Sequence, residues 1–151
     1  MLTSMGARSR SSSVLVIEEH PFQRRTLSRR LNEVGVPRVL ESPGGTDALK
    51  IVRANAGSIA LILGSVDLPE RDGLELLRVI AAEAPQTALA VVSALDREPL
   101  LAIESKAAEY GLHLIGTLEK PVSDDALRAV LVRALAGESS VCRPRVRSRV
   151  C

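Results

Sequence analysis

Five polar residues follow short aliphatic runs and could act together in one site. They are Glu18, Glu19, Ser65, Ser93 and Lys120. Carboxylates of this kind attract cations, and a lysine attracts anions. A serine hydroxyl is a poor nucleophile unless a base lies beside it. Two adjacent carboxylates directly after a buried strand favour a shared pocket over an ordinary position on the surface.

The elements that must position these residues alternate along the chain. Aliphatic runs at about 12–17, 36–41, 59–63, 88–92 and 112–118 predict strands. Amphipathic stretches between them predict helices, with start signals at Pro21 and Ser123 and stop signals at Gly35 and Gly111. Five such repeats predict an α/β fold, a doubly wound five-stranded parallel sheet with right-handed crossovers. The carboxyl ends of parallel strands meet at one edge, which is where we expect the site.

Composition predicts one domain between two tails. The 151 residues include one Phe, one Tyr and no Trp, so the core must be aliphatic. We expect residues 1–12 to be a disordered basic tail, 13–137 the folded domain and 138–151 a disordered Arg-rich tail. Both cysteines, Cys142 and Cys151, lie in the last segment, so disulfides do not hold the domain together. No apolar run is long enough for a membrane span or a signal peptide, and we expect a cytoplasmic protein.

The residues after the predicted strands resemble those of a response-regulator receiver domain of two-component signalling. The chain reads I-E-E-H-P after strand one, L-I-L-G-S-V-D-L-P-E-R-D-G after strand three, V-V-S-A after strand four and L-E-K-P after strand five. The resemblance covers about 13–137 and implies the flavodoxin-like (βα)5 receiver fold. The phrases EEHPFQRR, VVSALD and YGLHLIGTLEKP further resemble receivers attached to cyclic-di-GMP phosphodiesterase domains.

The resemblance assigns a role to each strand-end residue. In the family an acidic pair and an acceptor aspartate hold Mg²⁺, and a hydroxyl and a lysine hold the phosphoryl group. Glu18 and Glu19 match the acidic pair, and Ser93 and Lys120 match the phosphate contacts. The acceptor lies four residues before the loop proline, and counting back from Pro69 gives Ser65. The phosphoacceptor position is therefore a serine.

This departure predicts that phosphotransfer is lost. A phosphate on Ser65 would be a stable ester, and Mg²⁺ would lose one carboxylate ligand. We expect no cofactor, and any Mg²⁺ binding should be weak and located at Glu19. We also expect an ion pair between Lys120 and Glu19 that closes the pocket. Thr117 stands where the family has its switch aromatic. The resemblance therefore implies that the aromatic partner of Ser93, which usually relays the phosphorylation signal, is also missing. Asp67 is an alternative acceptor, but its displacement by two residues argues against it.

The resulting prediction is a non-enzymatic module that binds proteins. Partners implied by the resemblance are a histidine kinase, a phosphotransfer protein or an output protein. The surfaces implied are Phe22, Gln23 and Leu27 on helix one, and the face of helix four, strand five and helix five in the 100–130 region, which could form a homodimer.

Two alternatives stay open. The chain could be the regulatory part of a cyclic-di-GMP phosphodiesterase system, or a regulator tethered to nucleic acid by its arginine tail. That tail offers Arg143, Arg145, Arg147 and Arg149 and no aromatic residue, so such binding would be weak and salt-dependent. We do not expect nucleic acid or a membrane to be the main partner. His20 has no nearby cysteine or second histidine and is not expected to hold a metal.

Overall fold

A computed structural model describes residues 13–55, 57–65, 70–93 and 97–135. Within these ranges five strands alternate with five helices. The strands are β1 Ser13–Ile17, β2 Arg38–Ser42, β3 Ile59–Ser65, β4 Ala88–Ser93 and β5 His113–Glu119. The helices are α1 Pro21–Glu33, α2 Gly45–Ala54, α3 Glu70–Glu83, α4 Arg97–Tyr110 and α5 Asp124–Leu135. All neighbouring strands pair in parallel in the order β2-β1-β3-β4-β5, which confirms the predicted doubly wound sheet.

Local signals in the sequence set several helix ends. Pro21 occupies the first turn of α1, where its missing N–H has no helical partner to lose. Gly35 and Gly111 follow α1 and α4 with φ of 108° and 74°, a left-handed conformation that glycine adopts without a steric penalty. The Ser123 hydroxyl accepts a hydrogen bond of 3.1 Å from the Ala126 amide and caps α5 as predicted.

The two faces of the sheet bury separate aliphatic layers. Alternate residues of β1 divide between them, because successive side chains of a strand point to opposite faces. Val14 and Val16 pack with residues of α1 and α5, whereas Leu15 and Ile17 pack with residues of α2 and α3. β1 is buried along its whole length. The centre of the sheet is thus covered on both faces by packed aliphatic side chains.

The strands extend further than the sequence pattern predicted. β3 continues to Ser65, which pairs with Val92 of β4, and β4 continues to Ser93, which pairs with Glu119 of β5. α3 begins at Glu70, so Gly73 lies inside the helix. The predicted tails and Asp67 lie outside the described residues. No helix in the described ranges is long and apolar enough to cross a membrane.

Candidate functional site

Strand register brings four of the predicted site residues to one edge of the sheet. Ile17 pairs with Gly64, so Glu18 follows β1 at the level of Ser65 on β3. Ser65 pairs with Val92, which places Ser93 one residue further along β4. Ser93 in turn pairs with Glu119, and the Lys120 amide donates a hydrogen bond of 2.9 Å to the Ser93 carbonyl oxygen. These four residues are distant in sequence but lie at the carboxyl ends of four neighbouring strands, β1, β3, β4 and β5.

Glu18 is the anchored carboxylate of this edge. It is only 4% exposed, and its Oε2 accepts a hydrogen bond of 3.1 Å from the His20 amide. Its own amide donates to the Ser42 carbonyl at 3.0 Å, and Arg24 Nη1 donates to its carbonyl at 3.0 Å. Both the backbone and the side chain of Glu18 are therefore held in place.

Lys120 faces Glu18 across the edge and completes a small network. Its Nζ lies 3.6 Å from Glu18 Oε1 and donates a hydrogen bond of 3.1 Å to Gln23 Oε1 on α1. A buried carboxylate requires a partner of this kind, because an isolated buried charge is strongly unfavourable. The network links β1, α1 and the segment that follows β5.

The predicted ion pair between Lys120 and Glu19 is wrong. Glu19 is exposed, and the carboxylate beside Lys120 belongs to Glu18. The physical reason is the direction of successive side chains: in extended backbone they point to opposite sides, so burying Glu18 turns Glu19 outward.

The two serines and the threonine differ in burial. Ser65 and Ser93 are each 6% exposed and end the two central strands of this edge. Thr117 lies exposed on β5. Serine hydroxyls are neutral, so among the described residues the charged groups buried at this edge are Glu18 and the partly buried Lys120.

The residues assigned to a partner surface on α1 fall into three different environments. Phe22 is 80% exposed. Gln23 is exposed too, but its side-chain oxygen is bonded to Lys120. Leu27 is half-buried and packs against the core. In the second predicted surface, Leu101 of α4 and Val132 of α5 are exposed apolar residues.

The sequence patterns missed two residues that shape the site. Gln23 was assigned only to a partner surface, yet it holds Lys120. Arg24 was not singled out, although it donates to the Glu18 carbonyl and pairs with Glu41 on β2 at 3.3 Å. A signal was available: both lie in the turn of α1 that immediately follows the acidic pair, so they must sit over the edge of the sheet.

Residues 14–132 match the family described as the response regulator receiver domain. This chain belongs to that family. The receiver also resembles solved structures over most of its length. One is a response regulator receiver domain from Clostridium thermocellum, 23% identical with a TM-score of 0.71, covering 83% of this chain and 94% of that one. Another is a sensor protein from Polaromonas sp. JS666, 28% identical with a TM-score of 0.69, covering 82% and 95%.

Relatives of known role contain the receiver as one part of a longer chain. The autoinducer 1 sensor kinase/phosphatase LuxN of Vibrio campbellii is 31% identical over 128 residues, which are 82% of this chain and 13% of LuxN. The cyclic di-GMP phosphodiesterase RocR of Pseudomonas aeruginosa is 29% identical over 121 residues, 80% of this chain and 31% of RocR. The receiver thus spans less than a third of these relatives.

Proposed function

We propose that this receiver acts in two-component signalling as a phosphate-independent module that binds proteins. The observation that carries the proposal is that β3 ends at Ser65, the position that the resemblance assigns to the family's acceptor aspartate. Without an acceptor carboxylate at this position, the acyl phosphate that the family uses cannot form there. In this proposal the chain is not itself an enzyme. It works in the cytoplasm, and its partner is a histidine kinase, a phosphotransfer protein or an output protein.

The arrangement around Lys120 supports this proposal. In the family this lysine holds the phosphoryl oxygens, which requires an ammonium that is free to turn toward the acceptor. Here the ammonium already has a carboxylate oxygen of Glu18 at 3.6 Å and the amide oxygen of Gln23 at 3.1 Å. Breaking both contacts would leave the buried Glu18 carboxylate without its cationic partner, which opposes the change.

The donor set does not fit the Mg²⁺ that the family implies. Mg²⁺ requires near-octahedral oxygen ligands and is usually held by carboxylates. Glu18 Oε2 is bonded to the His20 amide and Oε1 faces the Lys120 ammonium, whereas Glu19 is exposed. Within the described ranges no three Asp, Glu, His or Cys residues cluster as a metal site would need. We therefore include metal independence in the proposal.

The direct test is an amide NMR spectrum of the ¹⁵N-labelled protein with and without Mg²⁺ and beryllofluoride. We expect no shift at Ser65, Ser93 or Lys120. The matched variant Ser65→Asp restores the family's acceptor and should respond, which shows that the reagents and the fold are competent. Shifts in the unaltered protein that spread to α4 would contradict the proposal, because the site would then still bind a phosphoryl group.

The similarity to RocR favours a second candidate, in which this receiver regulates a cyclic-di-GMP phosphodiesterase. The support is the 29% identity over 121 residues together with the sequence phrases around Glu18, Ser93 and Lys120. The test is to purify a phosphodiesterase encoded beside this chain and to measure its turnover with and without the receiver. A change in turnover supports the regulatory role, and no change at saturating receiver excludes it for that enzyme.

A further inference from the structure

Lys120 has two neighbours at the carboxyl edge of the sheet, and they act on it in different ways. Glu18 Oε1 lies 3.6 Å from the Lys120 ammonium nitrogen, which is too long for a hydrogen bond, so this carboxylate contributes its charge from a distance. Gln23 Oε1 lies at 3.1 Å and accepts a hydrogen bond from the ammonium. Because a hydrogen bond depends on direction as well as distance, Gln23 is the residue that sets where the ammonium points.

The backbones on both sides of this hydrogen bond are held by other contacts. The Lys120 amide donates to the Ser93 carbonyl oxygen at 2.9 Å. On α1, Arg24 follows Gln23 directly and donates to the Glu18 carbonyl oxygen at 3.0 Å. Arg24 also forms an ion pair with β2. The ammonium therefore loses this hydrogen bond when it moves further than the Gln23 side chain alone can follow.

The order of the strands shows how far the ammonium reaches. Lys120 follows β5, yet its ammonium lies beside Glu18, which follows β1, and beside Gln23 near the start of α1. Ser65 ends β3, and β3 lies between β1 and β5 in the sheet. To hold a phosphoryl group at position 65, the ammonium would have to exchange the Gln23 oxygen for phosphoryl oxygens.

The exposure of Gln23 separates this role from a role in packing. Gln23 is exposed and belongs to neither aliphatic layer of the core. A hydrogen bond between two side chains that water reaches contributes only modestly to stability. Glu18 already supplies the opposite charge that Lys120 needs. The main consequence of the amide of Gln23 is therefore the position of the ammonium.

We propose that Gln23 is a positioning residue that keeps the Lys120 ammonium beside β1 and thereby opposes phosphoryl binding independently of Ser65. This inference rests on the proposed function and deepens it. Two features then exclude the phosphoryl group, namely the missing acceptor carboxylate and the retained lysine. Restoring the acceptor alone by Ser65→Asp should recover only part of the affinity for a phosphoryl group, and removing the amide of Gln23 as well should recover more.

The first test measures the ammonium directly in the full ¹⁵N-labelled chain without an added ligand. The chain has three lysines, Lys50, Lys106 and Lys120, and Lys120→Met assigns the signal of the third. We expect Gln23→Leu to speed hydrogen exchange at the Lys120 ammonium by about fivefold, as for the loss of one partly exposed hydrogen bond. Gln23→Glu keeps an acceptor at the same reach and should keep exchange slow. The ammonium of Lys106, which is bonded to Glu109, should not change.

The second test compares two full-length variants that both restore the acceptor. Beryllofluoride with Mg²⁺ is titrated into Ser65→Asp and into the double variant Ser65→Asp, Gln23→Leu, and amide shifts give the affinities. We expect the double variant to bind about fivefold more tightly, because the ammonium no longer gives up the Gln23 oxygen. The matched control is Gln86→Leu in the Ser65→Asp background. Gln86 is also an exposed glutamine, but it lies in the turn before β4, at the opposite edge of the sheet, and its replacement should leave the affinity unchanged.

Several results would overturn the inference. One is an unchanged exchange rate at the Lys120 ammonium in Gln23→Leu. Others are equal binding, or no binding, by the two acceptor-restored variants, and an equal effect of Gln86→Leu. A loss of stability to urea in Gln23→Leu with neither measurement changed would overturn it too, because Gln23 would then have only a structural role. Binding of beryllofluoride to the unaltered protein would instead refute the proposed function, since the comparison of the two acceptor-restored variants does not depend on that result.

Discussion

Replacing Lys120 by methionine should destabilise the domain by about 2 kcal/mol, between the values typical of exposed and of buried ion pairs. Methionine keeps much of the length and apolar stem of lysine but removes the charge. At the observed 3.6 Å between Lys120 Nζ and Glu18 Oε1, Coulomb's law with an effective dielectric constant near 20 gives about 4 to 5 kcal/mol. Water reaches the lysine, whose side chain is 26% exposed, so the expected loss is smaller than that figure.

The assay is urea unfolding followed by far-ultraviolet circular dichroism, because the chain contains no tryptophan. Lys106→Met is the matched control: Lys106 pairs with Glu109 at 3.1 Å, but both side chains are exposed. Its loss should be much smaller than that of Lys120→Met, because water screens the exposed pair.

A double-mutant cycle with Glu18→Gln separates the ion pair from the bond to Gln23 and should give a coupling of about 1 to 2 kcal/mol. Equal losses for Lys120→Met and Lys106→Met, or a coupling near zero, would refute the reasoning that this ion pair holds the site together.

Three further outcomes follow from particular side chains. Ser28 is buried in α1, and its hydroxyl has no hydrogen-bond partner among the described atoms; Ser28→Ala should raise the free energy of unfolding by about 1 kcal/mol in the same urea assay. Burial, and to a smaller extent the charge of Arg133, lowers the pKa of His113. The unfolded chain then binds the proton more readily, so stability should fall as the pH drops below about 6.5, and His113→Asn should reduce that slope. The hydrogen bond from Arg30 lowers the pKa of Asp124; Arg30→Met should raise it toward the ordinary value, as read from side-chain carboxyl NMR.

These experiments address different parts of the molecule. The Lys120 and Glu18 variants test the network at the carboxyl edge of the sheet. The Arg30 variant tests the attachment of α1 to α5, because Arg30 also donates to the Val122 carbonyl oxygen.

The sequence by itself determined the architecture. Unbroken aliphatic runs such as 59–63 are typical of central strands covered on both faces, and their alternation with amphipathic helices predicts a parallel sheet. Local chemistry at Pro21, Gly35, Gly111 and Ser123 set helix ends, because those effects act within one turn. The strand-end motifs were also sufficient to indicate the receiver family, which the match over residues 14–132 shows.

Only the tertiary structure decided which of these residues contact one another. Glu18 and Lys120 are about a hundred residues apart in sequence, and no local rule says which carboxylate of the pair Glu18 and Glu19 turns inward. The hydrogen bond from Lys120 to Gln23 depends on how α1 crosses the edge of the sheet. Which arginines of α1 form ion pairs depends on where Glu41 and Asp124 lie. Ion pairs and exposure depend on distances between elements, whereas periodicity and turn residues specify only the elements themselves.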